Sequence, residues 1–223
     1  MQSRVTDAVD FTSRIAIHDS PTGHSAMPIT CIIPAKSFVL SKSRLAVCLS
    51  RQQRIDLSRW LLQRTLRLVQ PLFLQVIVVS GDYELLEEIR DQDVCALVEE
   101  APGLNPALTQ AAEFASSRGA SGILVLPADL PRIGAGDVEA ILRLGATAPA
   151  VVIAPCRHGT GTNALLLRPP HAIPFAFGLN SFSAHNDLAR IADIQPIVYR
   201  APNVALDLDT PADWELIHSQ IPI

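Results

Sequence analysis

Apolar runs just long enough for a buried strand recur along this chain, separated by stretches long enough for a helix. That alternation admits few folds. The runs cover residues 29–33, 76–79, 94–98, 123–126 and 150–154. They lack the polar alternation of a half-exposed strand, so both faces of each must be covered. Between them the spacing predicts helices over 51–69, through Leu85, Leu86 and Ile89, from Pro106 to about 117, and from about 136 to 144. Strand and helix in turn imply a mostly parallel sheet flanked by helices, an α/β fold. After Pro155 the regularity breaks. Strands are expected at 163–167, 197–199 and 204–208, with helices at 181–191 and from Pro211. Two successive strands with no full helix between them make the sheet mixed.

The 223 residues suffice for one substantial core, and 28–223 reads as one domain behind a mobile leader, 1–27. The leader mixes Arg, Asp, Thr, Ser and His without an apolar core, so it is not a signal peptide. No run approaches the length of a membrane span. A net charge of −4 with no basic block argues against a nucleic-acid polymer as partner, while leaving room for a local basic pocket. The four cysteines are scattered with no Cys-x-x-Cys pair, so neither a zinc site nor a disulfide framework is expected, and the cytoplasm is the natural compartment.

Chemistry gathers where strands end. The 123–126 run stops at Pro127, and Asp129 follows where the strand leaves the sheet, which is where open α/β sheets bind ligands. A second acidic exit, Leu206-Asp207-Leu208-Asp209-Thr210-Pro211, lies near the C-terminus. Period-two spacing puts Asp207 and Asp209 on one face and the leucines on the other. Thr210 as N-cap, Pro211 at N1 and Asp213 at N3 explain the end of that motif structurally. Asp207 has no such local explanation. Asp129 with Asp207, or with Asp209 in its place, could hold a hard cation such as Mg²⁺ alongside substrate phosphates.

The loop after the first strand contains no glycine, so it is neither a G-x-G-x-x-G turn nor a Walker A loop. It offers Lys36, Lys42 and Arg44 with Ser37, Ser41 and Ser43, a set suited to a triphosphate. Gly103-Leu104-Asn105 precedes a helix, where Asn105 is an N-cap or reads a base or ribose. His158-Gly159-Thr160-Gly161-Thr162-Asn163 joins two strands and brings threonine hydroxyls to a glycine-flanked turn. Phe177-Gly178 leads to Ser181, an N-cap candidate beside the free N–H groups of a first helical turn. No Gly-x-Ser-x-Gly elbow supports a serine hydrolase. His171 and His185 have no partner pattern and read as surface or structural residues.

In their order and spacing these motifs resemble the 2-phospho-L-lactate and phosphoenolpyruvate guanylyltransferases of coenzyme F-420 biosynthesis. The resemblance runs from about Ile29 to Ile217. It is carried by Leu40-Ser41-Lys42-Ser43-Arg44-Leu45, Gly103-Leu104-Asn105, Leu126-Pro127-Ala128-Asp129-Leu130-Pro131, Gly159-Thr160-Gly161-Thr162-Asn163, Phe177-Gly178 with Ser181-Phe182, and the second acidic exit. It implies a nucleotide-diphospho-sugar-transferase-like fold, Rossmann-like in layout, with GTP and Mg²⁺ as nucleotide and cofactor. It implies transfer of GMP to phosphoenolpyruvate, 2-phospho-L-lactate or 3-phosphoglycerate with release of pyrophosphate. Under it, Asp129, Lys42 and Arg44 are catalytic, and Lys36, Ser43, Gly103 and Asn105 bind the nucleotide. Thr162, Gly178 and Ser181 bind the acid, and Asp129 and Asp207 hold the metal. A homodimer is compatible with such a fold. A molybdenum-cofactor-type or sugar-phosphate nucleotidyltransferase, or a non-catalytic nucleotide-binding module, remain alternatives on the same fold.

Overall fold

A computed structural model describes residues 28–223; the expected leader, 1–27, lies outside the described residues. The chain runs β1 (Ile29–Pro34), α1 (Arg51–Val69), β2 (Val76–Ser80), α2 (Tyr83–Glu88), β3 (Cys95–Val98), α3 (Leu104–Ser117) and β4 (Gly122–Val125). It continues through α4 (Ala135–Leu144), β5 (Ala150–Pro155), β6 (Thr162–Arg168), α5 (Ser181–Ile191), β7 (Ile197–Val198), α6 (Pro202–Ala205) and α7 (Pro211–Ile217). The strands form one sheet in the order β3-β2-β1-β4-β6-β5-β7. β6 pairs antiparallel with both β4 and β5, and the other pairings are parallel. The sheet is therefore mixed but mostly parallel.

The period-two alternation of each strand divides the core between two faces. Ile33, Val78 and Leu124 pack under Leu62, Leu66 and Val69 of α1, Leu85 of α2 and Val138 of α4. Ile32, Ile77 and Ile123 face the other way, against Ala107, Ala111, Ala112 and Ala115 of α3 and Ala189 of α5. Small side chains let α3 lie close to the sheet, and each fully buried Ile or Leu contributes about 1.5–3 kcal/mol. Ser50 starts α1 with a capping box to Gln53, which fixes where the loop after β1 must end.

Because β6 runs opposite to its neighbours, its first residue, Thr162, reaches the same sheet edge as the ends of β1 and β4. That edge is the crevice where the predicted motifs meet.

One expected strand is absent. Residues 202–205 form the short helix α6, started by Pro202 at its first turn, and 206–209 join no ladder. The alternation of the segment is still obeyed. Leu206 and Leu208 are buried against Leu57 and Leu61 of α1 and Ile217 of α7, while Asp207 and Asp209 stay only part-buried. The pattern is satisfied by packing on a helix instead of by pairing in a sheet.

Candidate active site

A lysine bridges the two acidic exits. Lys42 Nζ lies 3.3 Å from Asp129 Oδ2 and 2.9 Å from Asp209 Oδ1, with only 8% of its side chain exposed. Its backbone is left-handed, at φ 54°, immediately before a 3-10 turn (Ser43–Val47). That conformation costs a non-glycine residue about 1–2 kcal/mol, a strain that aims its side chain back into the crevice. The loop before it is pinned by buried Phe38, by Ser41 Oγ against Ser58 Oγ at 2.7 Å, and by Ser41 N–H donating to Ser37 O at 2.9 Å. Burial pulls the Lys42 ammonium down. The Asp129 and Asp209 carboxylates outweigh it and leave its pKa above the ordinary lysine value.

The second exit is tied to the first through the backbone, Leu208 N–H donating to Asp129 O at 3.0 Å. Asp207 and Asp209 therefore flank Asp129. Asp207 accepts from Asn163 Nδ2 at 3.3 Å and makes no ion pair among the described residues. Burial first, then the nearby Asp129 carboxylate, raise its pKa above the usual Asp value, against its own backbone N–H and Asn163. Two carboxylates that repel one another beside a crevice suit a cation, so the pair fits Mg²⁺ as one or two carboxylate ligands completed by substrate oxygens. Among the described residues, no group of three or more His, Cys, Asp or Glu side chains could hold a metal ion, so any metal here would rest on the pair and its substrate. Asp213 holds this segment from behind. Its carboxylate accepts from the N–H groups of Asp209 and Thr210 at 3.1 and 2.7 Å and from Thr210 Oγ1 at 2.8 Å, and it pairs with Arg157 at 2.5 Å.

The other cations of the first loop are outward-facing. Lys36, Ser43 and Arg44 are exposed, and neither Lys36 nor Arg44 makes an ion pair among the described residues. Gly103 caps α3 at φ 119°, a conformation that favours glycine. This corrects the expected cap: α3 starts at Leu104, two residues before Pro106, and Asn105 lies inside its first turn. Asn105 is spent on a long-range contact instead. Its Oδ1 accepts from Phe177 N–H at 2.8 Å and its Nδ2 donates to Phe177 O at 3.0 Å. Both hydrogen-bonding groups of that residue are thus held by one amide side chain.

Thr162, Gly178 and Ser181 come together at the same edge. Asn180, at φ 56°, precedes α5, so Ser181 is its first residue and not its cap. The residue is 2% exposed, and its hydroxyl accepts from Thr162 N–H at 2.9 Å. Thr162 Oγ1 is 3.0 Å from His185 Nδ1, and His185 Nε2 accepts from Ala176 N–H at 3.0 Å. Gly178 sits at φ 132° with open space where a Cβ would be, so its conformation and not crowding within the chain calls for glycine. His185 is fully buried, edge-on to Phe177 at 4.9 Å, and burial pushes its pKa down to about 4.

The structural part of the expectation for His185 holds; its place inside this network was invisible to spacing. Asn163, Asp209 and Asp213 are further contributors that sequence reasoning passed over or left second. Asn163 was in view, adjacent to Thr162 in the quoted turn, but its partner lies 44 residues away.

The family described as "Guanylyl transferase CofC like" matches residues 29–220, nearly all of the described chain. The chain belongs to the CofC-like guanylyltransferases. It is a nucleotidyltransferase. Over 188 residues it is 41% identical to a phosphoenolpyruvate guanylyltransferase of Rubrobacter xylanophilus, covering 84% of this chain and 92% of the relative. It is 34% identical to a 3-phospho-D-glycerate guanylyltransferase of Colwellia psychrerythraea, covering 86% and 91% of the two chains. A 2-phospho-L-lactate guanylyltransferase of Methanothermobacter thermautotrophicus is 36% identical, over 82% of each. Among solved structures, a protein of Desulfovibrio desulfuricans G20 classed with the nucleotide-diphospho-sugar transferases superposes with a TM-score of 0.70 at 18% identity, over 87% and 88% of the chains. A 4-diphosphocytidyl-2C-methyl-D-erythritol synthase of Anaerococcus prevotii gives 0.60 at 10%, over 87% and 96%. The fold is nucleotide-diphospho-sugar-transferase-like.

Proposed function

We propose that this enzyme transfers GMP from GTP to a small phosphorylated acid and releases pyrophosphate, a step in making the phosphate-linked precursor of coenzyme F-420. The observation that carries the reading is Lys42 clamped between Asp129 and Asp209 at a strand exit, in a chain of the guanylyltransferase family. A phosphate oxygen of the acceptor attacks the α-phosphorus of GTP. A new P–O bond forms, the bond from the α-phosphorus to the oxygen bridging it to the β-phosphorus breaks, and pyrophosphate leaves with that electron pair. No general base is needed, because the attacking phosphate is already ionised. Catalysis is then positioning plus charge neutralisation.

In this reading Lys36, Ser43 and Arg44 meet the triphosphate as it enters, and Lys42 presents its ammonium where the α-phosphate reacts. Gly103 shapes the approach to α3 on the nucleotide side. Asn105 acts by holding the Phe177-Gly178 loop, a role different from the base contact expected of it. Asp129 and Asp207 would hold Mg²⁺, which when bound would supply further neutralisation of phosphate charge. Thr162, Gly178 and Ser181 take the acceptor. No helix among the described residues is long and apolar enough to cross a membrane.

A panel of nucleotides against acceptors, read by mass spectrometry and pyrophosphate release, tests the reading. GTP with phosphoenolpyruvate, the acid named in the 41% identical relative, is the first combination, followed by 2-phospho-L-lactate and 3-phosphoglycerate. A guanylylated acid is the expected product. Absence of product and of pyrophosphate with every acid, at saturating GTP and Mg²⁺, would refute it.

A further inference from the structure

The hydrogen-bond network around His185 has a direction. Ala176 N–H can only donate, so His185 Nε2, 3.0 Å away, must offer a lone pair. A neutral imidazole has one ring proton, which therefore sits on Nδ1 and points at Thr162 Oγ1, also 3.0 Å away. Thr162 Oγ1 is then an acceptor on its inner side, and its own hydrogen must point elsewhere. The same logic applies next door. Ser181 Oγ accepts from Thr162 N–H at 2.9 Å, so its hydrogen is also left to donate. Two adjacent hydroxyls, both on buried residues at the end of the sheet, have thus spent acceptor capacity on their neighbours, and neither proton has an acceptor among the described residues. An anion is the partner such a pair fits.

We propose that His185 is a positioning residue for the acceptor: its tautomer, fixed by Ala176, obliges the Thr162 hydroxyl to donate to an oxygen of the phosphorylated acid. The inference rests on the acceptor assignment made above and adds a residue to it. His185 also fixes the approach to the acceptor loop. The backbone of Ala176 is held by its ring and that of Phe177 by Asn105, so Gly178 is delivered from two anchored residues. The ring packs edge-on against Phe177, which resists the flip that would exchange its nitrogens. Burial keeps the ring neutral through the neutral pH range, so one tautomer serves throughout.

Two measurements on the full chain test this. Long-range ¹H–¹⁵N correlation at pH 7 should show His185 as the neutral Nδ1–H tautomer; an Nε2–H or doubly protonated ring overturns the proposal. Steady-state kinetics should show His185→Phe and Thr162→Val each raising the acceptor KM about tenfold or more, with the GTP KM unchanged within about twofold. Thr162→Ser, which keeps the hydroxyl, should stay close to the native acceptor KM. The double variant should cost clearly less than the two single losses combined, because both act through the Thr162 hydroxyl. A folded His185→Phe protein with a native acceptor KM, or with both KM values raised alike, overturns the proposal. If that variant does not fold, the tautomer and the Thr162 pair still decide. Acceptor affinity by calorimetry carries the same comparison without turnover. Native acceptor binding with no GMP transfer would thus sink the function and leave His185 standing, whereas an acceptor bound by none of the proteins, the native one included, would sink both.

Discussion

Replacing Lys42 by Met removes the charge from the middle of the site while keeping the length and apolar stem of the side chain. The bridge has two contacts, 3.3 Å to Asp129 and 2.9 Å to Asp209, from a lysine whose side chain is 8% exposed. A hydrogen bond to a charged group contributes about 1.5–3 kcal/mol when sheltered, and an exposed ion pair about 0–1 kcal/mol. The carboxylates are 31% and 41% exposed, so solvent screens part of the attraction and the lower end applies, roughly 1–2 kcal/mol for the pair of contacts. Because the folded-state pKa of Lys42 is raised, this contribution is complete throughout neutral pH and fades only as pH rises through the folded value, in alkali. Turnover should fall further than stability. Loss of one preorganised charge partner at a reacting centre costs about 10²–10³ in kcat. Urea denaturation at pH 7 and steady-state kinetics on the same preparation measure the two effects. Added Mg²⁺ should stabilise Lys42→Met more than the native protein, since Asp129 and Asp209 then lose their cation beside an already unpaired Asp207. A variant within about 0.5 kcal/mol of native stability and about threefold of native kcat would refute the central role of this lysine.

Three other outcomes follow from the same geometry. Asp207→Asn should abolish most turnover yet leave the melting temperature unchanged or raised, because a carboxylate whose folded pKa is raised destabilises the fold once ionised. Asn105→Ala should raise the acceptor KM and spare the GTP KM, since its two bonds go to Phe177; a rise confined to GTP would restore the nucleotide assignment. His185, at about 4 when folded against an ordinary value of 6.5, binds a proton more readily when unfolded, so stability should fall by up to about 3 kcal/mol as pH drops through that window. Denaturation midpoints of native protein and His185→Phe should therefore converge on acidification, and parallel curves would count against the buried neutral ring.

What the sequence disclosed and what it hid have separate physical causes. The strands β1, β2, β4 and β5 announce themselves because a strand covered on both faces must be an unbroken apolar run. The 204–208 segment gave the right faces and the wrong element, since period two records alternate burial and does not say whether a neighbouring strand supplies the hydrogen bonds. Asn105 and Ser181 sat beside helix starts, where capping offers a local explanation, but their partners are 72 and 19 residues away. Lys42 was legible as a cation, but its carboxylates lie 87 and 167 residues further on. Long-range pairing is what folding adds, and no spacing rule reports it.

The two halves of the site are built from different chemistry, and that difference gives the proposed reaction its direction. On the β1 side, exposed Lys36 and Arg44 and the clamped Lys42 offer full positive charges. On the β6 side, Thr162, Ser181 and the nearby backbone offer neutral donors held by an uncharged imidazole. Full charges suit the leaving side, where negative charge accumulates as pyrophosphate departs. An attacking phosphate has the opposite requirement: an ammonium or guanidinium against it would draw off the electron density it needs for attack. Neutral hydroxyl donors orient such a nucleophile with far less of that loss. A charged residue introduced at the acceptor edge, as in Leu179→Lys at the exposed position after Gly178, should therefore tighten acceptor binding while lowering kcat. Improved binding with undiminished turnover would show that charge at that edge is tolerated and that the division of labour lies elsewhere.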